Sequence, residues 1–64
     1  MGTKEQLENI IVNGETSEIQ RTAEGFLQFL KDGSVGSNSV GLIYFIQQPE
    51  SYVEQFGDTI IGVT

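Results

Sequence analysis

Chemistry in this sequence would have to come from carboxylates, hydroxyls and a few cations, because the 64 residues contain no Cys and no His. Without imidazole or thiol, a Ser–His or Cys–His nucleophile pair cannot be assembled. A zinc site built from thiolate or imidazole is excluded for the same reason, and so is any disulfide. Carboxylates are abundant, with nine Asp and Glu against three cations, Lys4, Arg21 and Lys31. A catalytic carboxylate pair needs a cleft that drives the two pKa values apart. So many acidic groups on so short a chain read instead as solvated surface charge. A serine paired with Lys31 is chemically conceivable, but no motif places the two together. The glycines at 33, 36 and 41 lack both the G-x-G-x-x-G spacing and the Gly-Lys-Ser/Thr ending of phosphate-binding loops. No stretch alternates Asp or Asn towards a terminal Glu as a calcium loop does. The expectation is therefore no enzyme, no cofactor and no metal ion.

The formal charge of −6 also narrows the partners. Nucleic acids and anionic membrane surfaces recruit clustered basic groups, and the three cations here are far apart in sequence. Glu5, Glu8, Glu15, Glu18 and Glu24 could together imitate a polyanion in a basic groove, although solubility alone accounts for charged helix faces. No apolar run approaches the roughly 18 residues of a membrane span. The opening MGTKEQLENI lacks a basic segment followed by an apolar core, and Gln6 stands where a myristoylation signal wants Ser or Thr. A cytoplasmic protein is the expectation.

These side chains must be positioned by short elements within one domain, residues 1–64. Leu7, Ile10 and Ile11 form a short helical stripe, and Thr3 with Gln6 has capping-box spacing. Asn13-Gly14 suits a left-handed stop. The pattern predicts a helix over about Lys4–Val12. A second helix follows, capped by Thr16 or Ser17, with Ile19, Ala23, Phe26, Leu27 and Leu30 on one face. Phe29 lies off that stripe, Gly25 interrupts it, and Gly33 can end it. Ser34–Ser39 reads as a flexible connection.

The C-terminal third carries two readings. Leu42, Phe45, Pro49, Tyr52, Val53 and Phe56 keep helical spacing, which predicts helices over about Val40–Gln47 and Pro49–Phe56, with Pro49 at a tolerated first-turn position. The β-branched and aromatic run instead permits an α+β alternative with two short strands at 41–46 and 59–63. The favoured fold is all-α, a small three- to four-helix domain of helix-turn-helix-like outline with an extended tail. That outline would aim Ser37, Asn38 and Ser39 at a DNA groove, but no Arg accompanies them.

The segments 40–46 and 59–64 carry no charge, and a thin core cannot hide all their apolar surface. A chain this short buries only about 60% of the surface its unfolded form exposes. The surplus marks Tyr44, Tyr52, Phe56, Ile60 and Ile61 as contact candidates, with Glu50, Glu54 and Asp58 as an acidic rim. The functional expectation is a small acidic protein-binding module, a stoichiometric regulator or inhibitor of a partner protein. Its expected partners are another protein, further copies of the chain in a homo-oligomer, or both, with no small-molecule ligand. The alternatives are a homo-oligomeric structural subunit and a helix-turn-helix DNA-binding regulator.

Overall fold

The computed structural model describes residues 2–60. Helices α1 (Thr3–Asn13), α2 (Ser17–Asp32), α3 (Val40–Gln47) and α4 (Pro49–Phe56) follow in chain order, and no strand occurs among the described residues. The protein is all-α, and the segment 41–46 that admitted a strand is helical. Burial accounts for this: with helical phase kept on either side of Pro49, Phe45 and Tyr52 both pack on Phe26 of α2, whereas a strand at 41–46 without a pairing partner would leave its backbone groups unpaired. The second strand candidate reaches only Thr59 and Ile60 among the described residues, which have no strand assignment; positions 61–63 lie outside them.

Each boundary has a local cause. The Thr16 side chain caps α2 by accepting a hydrogen bond from the Ile19 backbone N–H at 3.1 Å. Gly33 ends α2 in the left-handed region at φ 81°, and the Ser34 N–H donates to the Phe29 carbonyl at 2.9 Å. Gln48, outside the helical region at φ −140° and ψ 72°, separates α3 from α4 because the Pro49 ring disfavours helical geometry in the residue before it. Gly57, at φ 66°, closes α4.

Two sequence expectations are corrected at α1. Thr3 lies inside the helix with Gly2 at the cap position, and no side-chain cap forms, so the Thr3–Gln6 box is not used. Gly14 has φ −61° and is not a left-handed stop. Its missing Cβ serves close approach instead: a methyl there would lie 2.6 Å from the Ile10 carbonyl oxygen and 3.2 Å from Ile19 Cγ2. Glycine at this point lets the α1–α2 turn close.

The largest helix–helix contact joins α1 to α2, and α4 packs on both α2 and α3. Leu7, Ile19, Ala23, Phe26, Leu42, Phe45 and Tyr52 form the core, drawn from all four helices. Val35, in the connection read as merely flexible, is also buried and plugs this core from the α2–α3 loop. Ile10 and Leu30, assigned to the interior by phase, are only partly buried against it. Among the described residues no helix is long and apolar enough to cross a membrane.

Candidate functional site

Six ring contacts organise the C-terminal third. Phe26, Phe45 and Tyr52 form an inner triangle with centroid separations of 5.3, 5.6 and 5.4 Å. Tyr52 also belongs to an outer triangle with Tyr44 and Phe56, at 6.0, 5.0 and 6.3 Å. All lie in the range where tilted and edge-to-face rings attract. Tyr52 therefore joins the core to the surface.

That position corrects its assignment as a contact residue. Tyr52 is fully buried, and its hydroxyl donates to the Thr59 carbonyl oxygen at 2.5 Å. The phase that links Leu42, Phe45 and Tyr52 is the phase of the core face, so Tyr52 belongs with them. Tyr44 and Phe56 do meet at the surface. Tyr44 is half-buried, and its hydroxyl accepts from Gln55 Nε2 at 2.6 Å, while Phe56 is exposed.

The remaining candidates are dispersed. Glu54 and Asp58 are exposed. Glu50 is exposed too, but it lines a depression with Asn13 and Glu15 that no aromatic residue lines. Ile60 is partly buried and sits over Gly25: a methyl on that glycine would lie 3.1 Å from Ile60 Cδ1. The chain after α4 therefore turns back onto α2, and Gly25 accommodates this tail. Ile61 lies outside the described residues. Among the described residues no three acidic side chains gather into a set that could hold a metal ion.

Four exposed apolar residues were absent from the expected set: Val12 on α1, Phe29 on α2, and Val40 and Ile43 on α3, the last two 75% and 41% exposed. Val40 and Ile43 are the pair that adjoins Tyr44. They are one helical step apart on the outer side of α3, and Tyr44 follows Val40 at i+4. Val40, Ile43 and Tyr44 thus share one side of α3, and the Tyr44 ring meets Phe56 at 6.3 Å. The signal was available in the helical phase, since a helix that buries Leu42 and Phe45 turns positions 40 and 43 outward. Among the residues of the helix-turn-helix outline, Ser37 and Asn38 are exposed, but Ser39 is buried at 1% and does not face solvent. The 33–39 connection is also longer than the roughly three or four residues of a DNA-reading turn. Comparison of the chain with family models, with curated proteins and with solved structures found no match in any of the three.

Proposed function

We propose that this chain is a cytoplasmic protein-binding module that regulates or inhibits a partner by occupying its surface. One observation carries the reading. Helix α3 has no charged residue along its eight positions, yet it leaves Val40 mostly in solvent and Ile43 partly so. Tyr44 and Phe56 continue that surface, and aromatic residues at the centre of an uncharged patch are frequent anchors of binding energy. Exposed Glu54 and Asp58 lie close by in the chain. An apolar centre with acidic neighbours suits a partner whose own apolar surface carries Lys or Arg around it. A second copy is a poorer fit, because it would bring a further net charge of −6 to the same contact.

A photo-crosslinking residue at Ile43, with exposed Glu24 as the control position, tests this in the cells that make the protein. The expected result is one heterologous protein joined in equimolar ratio from position 43 alone, and lost when Val40→Asp is added. Because Val40 is exposed, that change should move stability by only about 0.5 kcal/mol. Equal labelling from both positions, or products made only of this chain, would refute the reading.

A further inference from the structure

Helix α1 borders a second surface feature, built from other residues. Gln6, Asn9 and Asn13 follow one another at i, i+3 and i+7, along one side of the helix. Two depressions lie against that side. One, of about 210 Å³, has Asn9, Ile10, Asn13, Glu15, Pro49 and Glu50 among its lining residues. The other, of about 290 Å³, is lined by Glu5, Gln6, Asn9, Ile10 and Ile46. Because they share Asn9 and Ile10, the two depressions adjoin as a groove beside α1, along which Gln6 to Asn13 spans roughly 10 Å by the rise of the helix.

The groove has a consistent chemistry. Its apolar residues are Ile10, Ile19, Ile46 and Pro49, and its charged ones, Glu5, Glu15 and Glu50, are all acidic. None of Lys4, Arg21 or Lys31 lines it. Asn13 Nδ2 donates to Asn9 Oδ1 at 2.7 Å, which fixes the two amides beside each other. An N–H of Asn9 and the carbonyl oxygen of Asn13 remain to bond an extended backbone.

We propose that this groove binds a short basic segment of a partner protein. An aliphatic side chain of the segment rests on Ile10 and Ile46, and its Lys or Arg side chains meet Glu5, Glu15 and Glu50. Depressions of this size take side chains, whereas a stable contact between folded surfaces covers about 800 Å² on each partner. A second copy of this chain is a poor occupant, since its few cations stand alone among many carboxylates. The proposal shares no residue with the Val40–Ile43–Tyr44–Phe56 surface, so either can fail without the other.

The test is a nuclear magnetic resonance titration of the full chain with a synthetic peptide alternating Lys and Leu. Peptides alternating Lys and Ser, or Glu and Leu, are the controls. Saturable amide shifts should centre on Asn9, Ile10, Asn13 and Ile46, with the Lys–Ser and Glu–Leu peptides binding more weakly. The triple variant E5K/E15K/E50K should weaken binding by roughly tenfold, the sum of three exposed ion pairs. E8K/E24K/D32K, which changes net charge equally at exposed positions outside both surfaces, should weaken it much less. If the first variant loses its helical circular dichroism, E5Q/E15Q/E50Q replaces it, with the same order of effect expected. Equal weakening by both charge-reversed sets would overturn the proposal, as would equal binding of the Lys–Ser peptide. Shifts centred on Val40 and Ile43 would also overturn it, moving the basic segment to the α3 surface, and so would a titration without saturation.

Discussion

Tyr52 buries its ring among Phe26, Phe45, Tyr44 and Phe56 while its hydroxyl bonds the Thr59 carbonyl, so the ring and the hydroxyl do separable work. Tyr52→Phe keeps the ring and should cost about 0.5–1.5 kcal/mol, the worth of one hydrogen bond. Tyr52→Ala empties the junction of both triangles and should cost about 3–5 kcal/mol, enough to unfold a domain of this size. Urea melts followed by circular dichroism measure both. A Phe variant as unstable as the Ala variant would show that the tail contact, rather than the rings, holds this end together. Ser39 presents the opposite case. Its hydroxyl oxygen is buried without a hydrogen-bond partner among the described residues, and it makes no side-chain cap for α3. Ser39→Ala should therefore be neutral or raise stability by up to about 1 kcal/mol, because a buried unpaired hydroxyl carries a desolvation cost. A clear loss in the same melts would mean that the hydroxyl makes a bond on which α3 depends.

At the scale of elements, the telling relation is between α2 and the tail after α4. Gly25 costs α2 up to about 1 kcal/mol of helix propensity relative to Ala. The Ile60 side chain fills the space that its missing Cβ leaves. The two effects oppose each other, and a double-mutant cycle separates them. In an Ile60→Ala background, Gly25→Ala should stabilise by about 0.5–1 kcal/mol. With Ile60 present the gain should be smaller, since a methyl would lie 3.1 Å from Ile60 Cδ1 and the side chain must shift. Thermal melts of the four proteins decide it, and strictly additive values would show that the tail and α2 are uncoupled. Elements also differed in how openly the sequence announced them. The α2 face, its Thr16 cap and its Gly33 stop were readable because each is local chemistry within a few residues. The burial of Val35 was not, because it depends on where α3 and α4 bring the core, and nothing near residue 35 encodes that.

For the molecule as a whole, charge and size act together. Its principal extents are 26 × 23 × 17 Å, within the roughly 30 Å Debye length at 0.01 M salt and well beyond the roughly 8 Å at 0.15 M. At low salt every carboxylate therefore senses the others, and the excess of nine acidic groups over three basic ones opposes the folded state. Raising salt across that range should lift the melting midpoint by a few degrees, as expected for a change on the order of 1 kcal/mol in so short a chain. Scanning calorimetry at the two salt levels checks this. An unchanged or lower midpoint would mean that favourable ion pairs, weakened by salt, balance the repulsion.

By itself the sequence favoured a helical class while leaving a helix and a strand both open at 41–46, which the tertiary structure resolved as α3. It determined the first two helices and most of the helix ends. Those follow from 3.6-residue spacing and from residues such as Thr16, Gly33 and Pro49, which act on their immediate neighbours. It also determined that the C-terminal third holds more apolar surface than a thin interior encloses, since this is a matter of length and composition. Only the tertiary structure decided which of those side chains stay outside. Tyr52 went in because α4 packs against Phe26 of α2, while Val40 and Ile43 stayed out because the same helix turns Leu42 and Phe45 inward. The groove beside Asn9 was decided there as well: Ile46, Pro49 and Glu50 lie far from α1 in sequence, and chain packing alone brought them beside it.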